Sequence, residues 1–174
     1  SIVGENSEKR RDTKRTCRRM VAICLAVILL SSIMAFLLQT DFGKVRIIEV
    51  QLPTTNQQFS NGYLFVPQEA SADNKLPVVI TMHGSLNSKE MQDAACIELS
   101  RRGIIVLAID GYEHGLSSLG QVSEGKDSES AGGSASQGSR GMIPWVEFLY
   151  SNLDYVDNTK IGVMGHSMGG RAAW

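Results

Sequence analysis

The sequence predicts an α/β domain, with a mostly parallel sheet flanked by helices, preceded by one transmembrane helix. Three observations carry this. Short β-branched runs alternate with stretches of helical spacing, a 19-residue uncharged run occupies positions 20–38, and a Gly-x-Ser-x-Gly string joins a strand pattern to a helix pattern at residues 165–169. A length of 174 residues suits one ordinary domain of roughly 100–200 residues.

Composition narrows the class. Charged residues make up 20% of the chain and the formal net charge is -1, which excludes wholesale disorder and a generally basic nucleic-acid binder. The charge is uneven: residues 1–19 hold seven bases against three acids, a local excess of +4. Cys17, Cys24 and Cys96 are too few and too scattered for a disulfide framework or a zinc site. No metal or organic cofactor is implied by the sequence. Cys96 reads as a small buried hydrophobe. Cys17 lies beside the apolar run, where only its position suggests palmitoylation.

Residues 20–38 (MVAICLAVILLSSIMAFLL) approach the ~30 Å hydrocarbon thickness of a bilayer at about 1.5 Å per residue. A cleaved signal peptide fits less well, because the run is long and Ala35 has Ile33 at the -3 position. The basic cluster immediately before the run places residues 1–19 in the cytoplasm as a basic tail and the remainder outside the membrane. Lys9 to Arg19 as a nucleic-acid patch is the weaker reading, since the cluster abuts the span and acids interrupt it. The bilayer, through residues 20–38, is thus an expected partner, and nucleic acid is not.

Beyond the anchor, residues 44–51 and 62–66 read as two strands joined by a polar turn. Residues 76–82 (LPVVITM) and 104–109 (IIVLAI) are continuous apolar runs, as strands covered on both faces require. Residues 87–102 have helical spacing and end at Gly103; residues 142–153 read as a helix and 160–164 as a strand. The Gly- and Ser-rich stretch 119–141 is expected to be a flexible surface insertion. Gly120 to Lys126 matches the start of a phosphate-binding loop, but Asp127 stands where Ser or Thr is needed and no buried strand leads into it.

The chemistry is concentrated in KIGVMGHSMGGRAA, residues 160–173. A serine on a turn this tight has a strained backbone and projects its Oγ above the sheet, while glycines two positions away remove the Cβ atoms that would clash. Residues 76–82 end in His83-Gly84-Ser85, and the next strand ends in Asp110-Gly111-Tyr112-Glu113-His114-Gly115-Leu116-Ser117.

Together these residues resemble the α/β-hydrolase superfamily, closest to its dienelactone-hydrolase-like and prolyl-oligopeptidase-like branches, over residues 44–174. Asp110, His114, Gly115 and Ser117 fit the family's D-x-x-G-x-G-x-S pattern or its G-H-G form, while Glu113 stands where the first Gly is usual. Tyr155-Val156-Asp157 resembles the family's lead into the nucleophile strand. The resemblance implies an α/β-hydrolase fold in which Ser167 is the nucleophile and the backbone N–H of Met168 is one oxyanion-hole donor. The second donor is expected from Ser85, with Leu86 the alternative. His83 is expected to be structural, His166 to point away from the Ser167 hydroxyl, and His114 to brace its own loop.

In this family the acid and the histidine follow the nucleophile, and none of the seven residues after Ser167 is Asp, Glu or His. The chain is therefore expected to be the N-terminal part of a longer hydrolase, truncated after the elbow and inactive alone. The implied activity is serine hydrolysis of an ester through an acyl-enzyme. The alternatives are a prolyl-oligopeptidase-like peptidase acting on a peptide substrate, and a non-catalytic membrane-tethered binding module.

Overall fold

The structure, a computed structural model, describes residues 2–53, 59–111, 114–118 and 135–173. The chain divides into two units, Ser1–Phe42 and Gly43–Trp174.

The first unit is one helix, α1 (Ile2–Gln39), so the backbone of the basic segment continues the helix of the apolar run. Its part Thr13–Gln39 is long and apolar enough to cross a membrane, and none of the apolar window is buried. Ile23, Leu25, Leu29, Leu30 and Phe36 are all exposed, an apolar surface on every side in place of the single stripe of a core helix. The Ser32 hydroxyl donates to the Ile28 carbonyl at 2.9 Å, so this polar group is satisfied within the helix itself. Helix geometry ends where Asp41, Phe42 and Gly43 take φ values of 46°, 56° and 87°.

The second unit is built on a five-stranded sheet: β1 (Val45–Pro53), β2 (Phe59–Pro67), β3 (Leu76–Met82), β4 (Ile105–Ile109) and β5 (Val156–Gly165), in the order β1-β2-β4-β3-β5. β3 runs parallel to both β4 and β5; β2 is antiparallel to β4 and to β1. Four strands thus share one direction and β2 alone is reversed. Every residue of β4 is buried, as an uninterrupted apolar strand requires. Its side chains alternate between two cores. Ile105, Leu107 and Ile109 join Val78, Ile80 and Met82 of β3 with Trp145 and Leu149 of α3 (Ala135–Asn152), whereas Val106 and Ala108 join Phe65 and Cys96 of α2 (Asp93–Ser100). The helices accordingly cover opposite faces.

Trp145 is the largest side chain of the first core and is fully buried, with its Nε1–H donating to Ser60 Oγ at 3.1 Å. Gly62 admits it. A Cβ there would come 3.3 Å from the Trp145 ring and 3.0 Å from the Ala108 carbonyl oxygen.

Two elements depart from the sequence expectations. The helix expected at 87–102 divides into a 3-10 turn (Lys89–Gln92) and α2, because side chains of the turn are tethered inward: Thr81 donates to Gln92 Oε1 at 2.6 Å and Gln92 Nε2 donates to the Met82 carbonyl at 3.3 Å. Helix α3, expected over 142–153, opens seven residues earlier, at Ala135. Packing of Met142, Trp145 and Leu149 supplies the stability that lets the helix extend toward its N-terminus despite a glycine-rich sequence. Residues 119–134 and Glu113 lie outside the described residues.

Candidate active site

β5 ends at Gly165 and α4 (Met168–Ala172) begins three residues later, so His166 and Ser167 alone make the turn between them. Ser167 has φ 52° and ψ -108°, a conformation that costs a non-glycine residue about 1–3 kcal/mol. Hydrogen bonds to the end of β3 hold it there. The His166 N–H donates to the Met82 carbonyl at 3.2 Å, and the Gly169 N–H donates to the carbonyls of His83 at 3.1 Å and His166 at 2.9 Å.

Glycine is required on each side of this turn. A Cβ on Gly165 would lie 2.1 Å from the Gly169 carbonyl carbon, and one on Gly169 would lie 2.0 Å from the Met82 oxygen. From the β3 side, a Cβ on Gly84 would come 2.9 Å from His166 Nδ1 and 3.3 Å from Ser167 Cβ. Ser167 itself is exposed. Met168 is the first residue of α4, so its N–H has no acceptor within the helix.

The approach of Gly84 brings the loop carrying Ser85 against Ser167, so the three residues singled out in the sequence, Ser167, Met168 and Ser85, belong to one locality. The orientation of the Gly84–Ser85 peptide is set by His83, which is fully buried. The His83 Nδ1–H donates to the Gly84 carbonyl at 2.6 Å, while Nε2 accepts the Gly111 N–H at 2.9 Å. These bonds assign the neutral Nδ1–H tautomer. Because the carbonyl and the N–H of a trans peptide point in opposite directions, a Gly84 oxygen turned toward His83 sends the Ser85 N–H away from it. Burial lowers the His83 pKa; neighbouring His114 adds to this, while the Gly84 carbonyl and Asp110 oppose it. At the tip of the loop Leu86 has φ 61° and is 96% exposed, and Asn87 Nδ2 donates to the Ser85 carbonyl at 3.2 Å.

The other histidines lie to either side of His83 and Gly84. The His114 ring lies 5.3 Å from that of His83, and His166 lies against Gly84. Among the described residues no group of three or more His, Cys, Asp or Glu side chains could hold a metal ion.

Behind the loop is a feature that sequence reasoning missed. Asp110 and Lys89 are both completely buried: the Lys89 N–H donates to Asp110 Oδ1 and Lys89 Nζ to Oδ2, each at 2.9 Å. Asp110 Oδ2 also accepts the Leu116 N–H at 3.0 Å, and the ammonium lies 4.5 Å from the centre of the Tyr63 ring. Ser117 ties the same loop to β2 by accepting the Asn61 N–H at 3.1 Å. An aspartate directly after an all-apolar strand signals a buried carboxylate that needs a cation, but spacing alone does not select Lys89, 21 residues away.

An open, mixed sheet covered by helices on both faces, with an exposed serine on a strained strand-to-helix turn, has the architecture of an α/β-hydrolase. The chain belongs to the family of platelet-activating factor acetylhydrolase, isoform II, whose model matches residues 32–137, more than half of the sequence. No curated protein matches it. Among solved structures it is similar to a bacterial heroin esterase, at 20% identity and a TM-score of 0.55, over 84% of this chain and 43% of that one. It is also similar to a ferulic acid esterase from Streptomyces cinnamoneus, at 19% identity and a TM-score of 0.57, over 74% of this chain and 53% of that one. A third is a dienelactone hydrolase-like promiscuous phosphotriesterase from metagenomic libraries, at 21% identity and a TM-score of 0.53, over 75% of this chain and 52% of that one. The chain thus spans about half the length of these structures or less.

Proposed function

We propose that this chain carries the nucleophile and oxyanion-hole half of a membrane-anchored serine hydrolase that cleaves carboxylic esters. The observation that carries the reading is Ser167: exposed, at φ 52°, and flanked by Gly165 and Gly169, where backbone leaves no room for a Cβ, with Gly84 in close approach. Ser167 Oγ attacks the ester carbonyl carbon, and its proton passes to a general base. The negative charge that develops on the carbonyl oxygen is taken by the N–H groups of Met168 and Ser85. The alcohol leaves with a proton, and water then cleaves the acyl-enzyme. None of the three histidines in the chain is placed as that base: His83 is buried with both ring nitrogens bonded, His114 packs on His83, and His166 lies against Gly84. The base is expected outside these residues.

An acetyl or other small acyl ester is the substrate class favoured, because the family is named for an acetylhydrolase and two of the similar structures are named as esterases. Incubating the full-length protein with a fluorophosphonate probe tests the assignment: labelling is expected on Ser167 and absent from Ser167→Ala. A folded full-length protein that resists the probe would instead support a non-catalytic module.

The apolar helix supports an anchored form, with the basic segment cytoplasmic and the hydrolase part outside. External protease on intact cells is expected to digest the hydrolase part; complete protection would reverse the orientation.

A further inference from the structure

Lys89 directly follows the loop at residues 84–88, and Asp110 directly follows β4. We propose that their buried ion pair positions this loop so that the Ser85 N–H faces the carbonyl held at Ser167, a role that rests on the function assigned above. Lys89 grips the carboxylate twice, through its own N–H on Oδ1 and its ammonium on Oδ2, which fixes the orientation of the loop end as well as its distance. Asp110 is itself immobilised. Its N–H donates to the Asn61 carbonyl at 2.9 Å, Oδ2 accepts the Leu116 N–H, and Gly115, at φ 52°, leaves so little space that a Cβ would come 2.3 Å from Oδ1. The opposite end of the loop is fastened by His83 through the Gly84 carbonyl. The segment is thus clamped at both ends while its tip stays exposed, with Leu86 in the left-handed region.

Stability does not account for such a pair. Two charges taken out of water recover little net energy, and apolar replacements of similar volume are often as stable. What a doubly attached ion pair supplies is one geometry, and an oxyanion donor needs its position fixed to a fraction of an ångström.

The test uses the full-length protein and the double variant Lys89→Met/Asp110→Asn, which leaves neither charge buried alone. The expected result is a 10- to 100-fold fall in kcat toward p-nitrophenyl acetate with KM changed less than threefold. A matching loss of affinity for a trifluoromethyl ketone, which needs the oxyanion hole, should accompany it, with the thermal midpoint retained. A merely structural role would lower the midpoint and leave kcat per folded molecule unchanged, and that outcome overturns the proposal. Should the double variant fail to fold, Asp110→Asn alone carries the same measurement, since Glu90 Oε1, 3.1 Å from the Lys89 ammonium, still pairs that charge. Failure of both to fold assigns the pair to folding and also overturns it. Hydrogen exchange at the amides of residues 87–92, expected to accelerate in the variant, separates the two readings: a wild type without esterase activity, with a loop that still loosens in the variant, refutes the function while leaving the positioning intact.

Discussion

Gly165 and Gly169 are in backbone contact across the turn, with the position of a Gly165 Cβ lying 2.1 Å from the Gly169 carbonyl carbon. Since the obstacle is main chain, no rotamer change relieves it. Gly165→Ala and Gly169→Ala are each expected to destabilise the protein by about 3 kcal/mol or more. Gly162→Ala on the same strand meets the Val79 side chain at 3.5 Å and the Val78 carbonyl oxygen at 3.9 Å, both ordinary van der Waals contacts, and should stay within about 1 kcal/mol. Urea midpoints of the three variants check the contrast, and equal losses would contradict it.

Ser167→Ala in the full-length protein is expected to lower ester turnover by about 10³-fold or more while changing stability by less than about 0.5 kcal/mol, because the side chain is exposed. Ser167→Gly should be at least as stable as Ser167→Ala. Glycine in ordinary backbone costs about 0.5–1 kcal/mol relative to alanine, but at φ 52° it is the residue without strain. Denaturation curves of the pair decide this, and an Ala variant more stable than the Gly variant would mean that the turn is relaxed.

His83 makes stability depend on acid. Its folded pKa lies below the ordinary 6.5 because burial disfavours the imidazolium. The unfolded chain therefore binds the proton first, so the contribution is fully present above about pH 6.5 and is lost as pH falls from there toward the folded value. His83→Asn should be less stable at pH 7 by about 1–3 kcal/mol, having lost buried hydrogen bonds, yet its stability should fall less steeply between pH 7 and pH 5. Parallel slopes in urea titrations at those two values would show that His83 does not titrate in this range.

Cys96, on α2, is buried against β2 and β4, and burial pushes its thiol pKa up to about 12. The thiolate is the reactive form, so with Cys17 and Cys24 replaced by Ser, a disulfide reagent at pH 8 should label the native protein negligibly and the urea-unfolded protein fully. Stoichiometric labelling of the native state would place Cys96 at an accessible surface.

Legibility in the sequence followed the kind of interaction involved. β3 was readable to its ends, Leu76 and Met82, because a strand covered on both faces must be apolar throughout. The Gly165-His166-Ser167-Met168-Gly169 turn was readable because backbone clashes dictate residue type by position. The grip of Lys89 on Asp110 was not, since a partnership across 21 residues depends on where the loops fold. The 3-10 break escaped for a related reason: Gln92 is drawn to Thr81 and Met82 by tertiary contacts that helical spacing does not encode. The early start of α3 was hidden by a glycine-rich composition that packing outweighs.

The strand order also carries a schedule for biosynthesis. β1, β2, β4 and β3 complete their mutual pairing within residues 45–109, whereas β5 begins at residue 156 and must then lie beside β3. At ribosomal rates of roughly 5–20 residues per second, several seconds separate the emergence of β4 from that of β5. Throughout that interval β3 offers an unpaired hydrogen-bonding edge. The strained serine turn, whose bonds reach Met82 and His83, closes only when β5 arrives, so its geometry is assembled as a late event on a sheet that has already formed.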